Sequence, residues 1–288
     1  MREDRHLEGN YGFFHTKRLE EVIVLSLRNN VFNNMTDLVN RDVFLKYLDW
    51  VSECDAVKAI VINSPLQMCG SDEYLEFFLD SGHERKSKSL WMAEHRERRN
   101  EIARFCNVVN QVILKIVGLK KIVIHACQGN VISLLLNLSL ACDYRIVADN
   151  TVFCNTYLEI GMLPKGGGPF FLSRMVGPVK AYEILLLHKD ISAHEAMRYG
   201  IVDQVVPLEK LEEAALDIAH RFGQIHPRSL AGIKRLVNYS TRDLEEYLEI
   251  ENQEISGIVD SRDFKTSRPH RNEMGIEQKE EYAGRTIY

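Results

Sequence analysis

The 288-residue chain lacks long apolar runs. The longest candidate, Val131 to Cys142, has 12 residues and contains Asn137, whereas a membrane-spanning helix needs roughly 20 apolar residues. We therefore expect no membrane partner and interpret 131–141 as a buried helix. The charged N-terminus has no apolar segment behind it, so the sequence predicts no secretory signal.

An excess of basic residues and a cysteine framework are also missing. Lys plus Arg number 36 and Asp plus Glu number 41, giving a formal net charge of −5. This balance argues against a general nucleic-acid binder, which needs a net basic face. The six cysteines are scattered, with no Cys-x-x-Cys pair and no zinc-type spacing with histidine, so we expect no metal site. A reducing cytoplasm is the simplest compartment for such thiols.

The first part of the chain alternates between strands and helices. Short apolar runs predict strands over 21–27, 57–63, 121–126, 144–147 and 151–155. Helical spacing of apolar residues predicts helices over 36–52 (with Thr36 as the cap), 100–117 and 131–141. This alternation indicates an α/β fold in which parallel strands are joined by crossover helices.

The pattern changes after Gly161. A glycine-rich turn, Pro164 to Pro169, precedes a region that is mainly helical and has one short strand at 204–206. The predicted helices cover 170–176, 179–187, 193–199, 208–222, 227–238 and 243–259. We expect three parts: a core over 1–207, a helical region over 208–260 and a charged tail over 261–288.

Three segments together resemble the crotonase superfamily, the enoyl-CoA hydratase and isomerase group. They are Met68-Cys-Gly-Ser-Asp72 after a strand, the stretch from Ile122 to Ala148, and the stretch from Phe153 to Pro207. Their order and spacing carry the resemblance, which spans roughly 19–207. It implies a crotonase-like superhelix of ββα units with a helical C-terminal trimerisation region, and hence a homotrimer or a dimer of trimers.

The resemblance also implies an acyl-CoA substrate and a site for it. In this family two backbone N–H groups polarise the thioester carbonyl and stabilise the enolate that develops. The two donor positions fall on Met68 and Leu135. Coenzyme A would be part of the substrate, with no separate cofactor. The residues expected around the bound substrate are Arg28, Met68, Cys69, Gly70, Asp72, Ser133, Leu134 and Lys165.

Several positions depart from the family pattern. Leu134 and Leu135 stand where glycines usually allow the thioester to approach the backbone closely. The two glutamates of the hydratases correspond here to Asn137 and Tyr157. An amide does not accept a proton at neutral pH, and a tyrosine pKa is ordinarily near 10. We therefore expect ordinary enoyl-CoA hydratase activity to be absent or very weak.

Other groups could replace the missing glutamates. If 155–160 is extended, Glu159 points to the same side as Tyr157 and could act as a lone base; the alternative is a solvated carboxylate. Lys165 could meet an anionic group or a phosphate, or it is a solvated turn residue. The basic run 83–88 could meet the phosphates of coenzyme A, or it is a solvated loop. His125 lies in an apolar strand and is interpreted as a core histidine.

Two functions remain open on the sequence alone. The first is an acyl-CoA-processing enzyme of isomerase, hydrolase or lyase type. The second is a non-catalytic member of the fold that binds CoA esters or serves as a structural subunit.

Overall fold

The computed structural model describes residues 7–28, 34, 37–64, 88–155, 157, 161–187 and 190–260, and of 88–95 and 133 it describes the backbone only. Its strands are β1 (Gly9–Asn10), β2 (Phe14–Leu19), β3 (Val22–Leu27), β4 (Ala59–Ser64), β5 (Ile122–Cys127), β6 (Asn130–Ile132), β7 (Tyr144–Ala148), β8 (Val152–Cys154), β9 (Asp190–Ser192) and β10 (Gln204–Val206).

The helices are α1 (Leu38–Glu53), α2 (Lys88–Gly118), α3 (Ser133–Ala141), α4 (Gly168–Val176), α5 (Pro178–Tyr182), α6 (Ala193–Arg198), α7 (Leu211–Gly223), α8 (Pro227–Asn238) and α9 (Leu244–Asp260). A π-helical turn over Glu183–Leu187 continues α5.

Within the described residues, the main sheet has seven strands in the order β1-β2-β3-β4-β5-β7-β10. The pairs from β3 to β10 are parallel, as predicted, and parallel neighbours need crossover connections such as α1 between β3 and β4 and α2 between β4 and β5. Every residue of β3 and β5 is buried, which explains why both strands appear in the sequence as continuous apolar runs. The antiparallel strands β1 and β2 were not predicted.

The same part of the chain forms a second sheet of three strands, β6-β8-β9. Its strand β6 ends at Ile132, directly before α3 begins at Ser133. The prediction of one helix over 131–141 is therefore wrong for its first two residues. The small sheet matters for the site because β6 fixes the place where α3 starts.

Two helix starts also differ from the predictions. Asp37, rather than Thr36, caps α1 by accepting a hydrogen bond from the backbone N–H of Asn40 at 2.8 Å. The helix predicted over 100–117 is α2, which begins at Lys88 and has 31 residues.

Apolar side chains fill both faces of the main sheet. The face that carries Ile60, Ile62 and Val123 packs against α1, α2 and α3, whereas α7 packs its apolar stripe on the opposite face. The C-terminal helices also contact the residues next to this sheet. Lys234 of α8 places its ammonium 2.6 Å from a carboxylate oxygen of Asp143, and this lysine is buried. The boundary expected near 208 remains a prediction.

Candidate functional site

The first turn of α3 presents backbone N–H groups without partners inside the helix. Leu134 and Leu135 are its second and third residues, and the first turn of any helix leaves such groups unbonded. Ile132 stands at the cap position, where it makes no side-chain hydrogen bond to the turn. The helix dipole adds partial positive charge here. This turn can therefore stabilise a negatively charged oxygen.

The side chains of Leu134 and Leu135 point into the core. Both are buried, and they line an apolar cavity of about 20 Å³. The other described residues that line it are Phe13, Leu27, Phe44, Val109, Val112, Ile113 and Leu138. This volume has space for about one water molecule, which needs roughly 10–15 Å³ by the same measure. An acyl chain would therefore have to displace side chains to enter the cavity.

Asn137 takes part in a structural hydrogen bond. Its amide nitrogen donates to the backbone carbonyl of Lys165 at 2.9 Å, and its side chain is buried. A Cβ atom at Gly168 would lie only 2.4 Å from the Asn137 Oδ1 atom, so any larger residue there would force the Asn137 side chain to move. The position that the resemblance aligns with a catalytic glutamate thus joins α3 to the turn before α4.

Tyr157 is also held by the core. Its hydroxyl donates a hydrogen bond to the carbonyl of Leu185 at 2.9 Å, and the side chain is 1% exposed. Burial raises the pKa of Tyr157 above its usual value. The phenol therefore keeps its proton at neutral pH, and a role as base would require breaking this bond.

Lys165 is buried, so the interpretation as a solvated turn residue is wrong. Its ammonium lies 2.6 Å from a carboxylate oxygen of Glu251 and also donates to the Asn110 side chain. The side chains of Lys165 and Glu251 are 2% and 4% exposed. The anionic group that Lys165 contacts is thus the Glu251 carboxylate of α9. Contact between Lys165 and a phosphate of coenzyme A would require breaking this ion pair.

Glu251 is the functional candidate that the sequence interpretation missed. It accepts hydrogen bonds from the backbone N–H groups of Gly166 at 3.0 Å and Gly167 at 2.9 Å. Both glycines have positive φ angles, 103° and 81°, which turn their N–H groups toward one anion. Glu251 interrupts the buried apolar stripe of α9, and a carboxylate in such a stripe was the available signal.

Two further sequence candidates lie in the main sheet or directly after one of its strands. Arg28 follows β3 with an exposed side chain, so its predicted contact with the nucleotide part of coenzyme A remains a prediction. His125 is fully buried, as expected of a core histidine. Its Nε2 atom lies 3.1 Å from the Ser64 hydroxyl, and its Nδ1 atom has no hydrogen-bond partner.

Several predicted site residues lie outside the described part of the chain. They are Met68, Cys69, Gly70, Asp72, Glu159 and the side chain of Ser133. The side chains of the basic run 83–88 and the tail 261–288 also lie outside it. Among the described residues, no cluster of acidic, histidine or cysteine side chains could hold a metal ion. Within the same residues, no helix is long and apolar enough to cross a membrane.

Comparison with known proteins identifies the family. The family model for enoyl-CoA hydratase/isomerase matches residues 90–280. A relative from Streptococcus mutans named trans-2-decenoyl-[acyl-carrier-protein] isomerase is 28% identical over 165 residues, which is 57% of this chain and 63% of that protein. A relative from Mycobacterium bovis named "Probable enoyl-CoA hydratase EchA17" is 30% identical over 164 residues, with the same two coverages. The matches thus span less than two thirds of either relative.

Solved structures confirm the fold. The crystal structure of enoyl-CoA hydratase from Bacillus halodurans superimposes with a TM-score of 0.72 at 19% identity, covering 88% of this chain and 98% of that one. The predicted crotonase-like α/β architecture is confirmed. With a family match over residues 90–280, the chain belongs to the enoyl-CoA hydratase/isomerase family.

Proposed function

We propose that this protein binds acyl thioesters and polarises their carbonyl group with backbone N–H groups. The observation that carries the proposal is the uncapped first turn of α3, where the N–H of Leu135 has no partner within the helix. The second donor, Met68, comes from the family resemblance. Coenzyme A or an acyl carrier protein would enter as part of the substrate, with no separate cofactor.

The chemistry that suits these residues is double-bond isomerisation. Polarisation of the thioester lets a base remove a proton from the acyl chain, and the electron pair moves onto the carbonyl oxygen as an enolate. Return of that proton at another carbon shifts the double bond. One proton carrier is enough for this reaction, and Glu159 is the candidate. Hydration would need two acid/base groups, but Asn137 and Tyr157 are both committed to backbone carbonyls.

A non-catalytic acyl-thioester binder is the second candidate function. The observation that favours it is the small volume of the apolar cavity beside α3, which Leu134 and Leu135 help to fill. Binding without turnover is the expected result for this alternative.

A proline substitution tests the backbone donor directly. Proline has no N–H and is tolerated in the first turn of a helix. We expect Leu135→Pro to abolish the rise in melting temperature caused by an acyl-CoA and to lower any isomerase turnover by about 100- to 1,000-fold. The matched control is Glu245→Pro, which places proline at an exposed position in the first turn of α9 and leaves α3 unchanged.

The two functions give different results with the wild-type protein. Conversion of a 3-enoyl-CoA into the 2-enoyl isomer, followed by NMR, supports the isomerase. A thermal shift without conversion supports the binder. Absence of both, or an unchanged response in Leu135→Pro, would overturn the proposal.

We also propose a homotrimer or a dimer of trimers. The support is apolar surface on α5, its π-helical extension and α8, where Val179, Leu187 and Leu236 are 82%, 80% and 78% exposed. Light scattering that finds a stable monomer at micromolar concentration would contradict this assembly.

A further inference from the structure

The turn before α4 is fixed from the side of the C-terminal helix. Glu251 of α9 reaches this turn with both carboxylate oxygens: one accepts from the Lys165 ammonium at 2.6 Å and the Gly166 N–H at 3.0 Å, and the other accepts from the Gly167 N–H at 2.9 Å. All three hydrogen bonds are buried. A single side chain of α9 thus holds three consecutive residues of the turn.

The same turn is attached to α3 on its other side. The Lys165 carbonyl accepts from the Asn137 amide at 2.9 Å, and Gly168 packs against that amide with no space for a Cβ atom. Asn137 lies three residues after Leu134, so the two share one face of the helix. Movement of the turn would therefore move α3 near its uncapped first turn.

The turn also faces the wall of the apolar cavity. A Cβ atom built on Gly166 would lie 3.4 Å from a methyl group of Val109 and 3.8 Å from one of Ile113. Both α2 residues line the cavity together with Leu134 and Leu135. The position of the turn therefore affects both the proposed binding site for the thioester oxygen and the cavity that an acyl chain would enter.

Stability alone is a weak reason for a buried ion pair in this position. The desolvation of two charges offsets much of their attraction, and apolar replacements of such pairs are often as stable. From these contacts we infer that Glu251 is a positioning residue for the first turn of α3. This inference rests on the proposed function, because only that function makes the first turn of α3 a binding site for the thioester oxygen.

The test compares Glu251→Gln with Glu254→Gln, an exposed residue one turn further along α9. Selective ¹⁵N-leucine labelling reports on the Leu134 and Leu135 amides in the ligand-free protein. Calorimetry with an acyl-CoA measures affinity well below the melting temperature of each variant. If Glu251→Gln fails to fold, Lys165→Met combined with Glu251→Gln takes its place, because it removes both buried charges and keeps an acceptor oxygen.

We expect Glu251→Gln to shift the Leu134 and Leu135 amide signals and to weaken acyl-CoA binding about 10- to 100-fold. Glu254→Gln should change neither. A lower melting temperature with unchanged amide signals and affinity would show a purely structural role and overturn the inference. If the wild-type protein binds no acyl-CoA, the proposed function fails, and the amide signals alone then decide: a shift supports positioning and no shift refutes it.

Discussion

His125 should make the protein less stable in mild acid. The ring is fully buried, and this burial, with a smaller contribution from the Arg145 charge, lowers its pKa from 6.5 to about 4. The unfolded chain has no such burial, so its histidine binds a proton near pH 6.5. Between these two pH values unfolding takes up a proton, and the free energy of unfolding falls as the pH falls.

The size of the effect follows from the difference between the two pKa values. Each pKa unit corresponds to 1.36 kcal/mol, so the shift to about 4 is worth about 3 kcal/mol over the whole window. At pH 5 about 2 kcal/mol of this is already lost. The contribution is fully present above pH 6.5 and is lost completely only below about pH 4.

Urea unfolding at pH 7 and pH 5 measures the loss, at one protein concentration. His125→Gln has no titrating ring and keeps an amide that can donate to the Ser64 hydroxyl or accept from it. The loss of unfolding free energy from pH 7 to pH 5 should be about 2 kcal/mol smaller in His125→Gln than in the wild type. The control His194→Gln changes an exposed histidine and should keep the wild-type pH dependence. Equal pH dependence in His125→Gln and the wild type would refute the reasoning.

Two further predictions concern packing and a buried charge. Gly168→Ala should lower the free energy of unfolding by about 1–3 kcal/mol, because its Cβ atom would collide with Asn137. Gly257→Ala in α9, where the space is open, should have no effect or raise it by up to about 1 kcal/mol. Lys234→Met should lower it by about 3 kcal/mol, because the partly buried Asp143 is left without its cation. Urea unfolding measures all three.

Each of these predictions has a result that would contradict it. A Gly168→Ala variant as stable as Gly257→Ala would show that the Asn137 side chain moves aside freely. Combining Lys234→Met with Asp143→Asn should recover most of the stability, since the orphan charge is gone. No recovery in the double variant would mean that the lysine acts through its bonds to backbone carbonyls instead.

The sequence predicts the elements whose patterns are local. Strands β3 and β5 are continuous apolar runs, and proline marks the start of α8 at Pro227. Strand β2 was missed because the consecutive charged residues Lys17 and Arg18 break the alternation of apolar and polar side chains. Strand β6 was missed because Val131 and Ile132, two apolar residues directly before a helix, look the same as the helix itself.

The site was only partly predictable for a different reason. The resemblance aligned Asn137 and Tyr157 with catalytic positions, but their hydrogen bonds to backbone carbonyls follow from tertiary packing. The pairing of Lys165 with Glu251 joins residues 86 positions apart, and no local pattern indicates it. A carboxylate within an apolar helical stripe indicates only that some buried partner exists.

The central claim is that the first turn of α3 holds the oxygen of an acyl thioester. A crystal structure of the protein soaked with an acyl-CoA tests this most directly. We predict that the carbonyl oxygen lies about 2.7–3.1 Å from the backbone nitrogens of Leu135 and Met68. A thioester bound elsewhere, or a Leu135 N–H bonded to another group of the protein, would contradict the account.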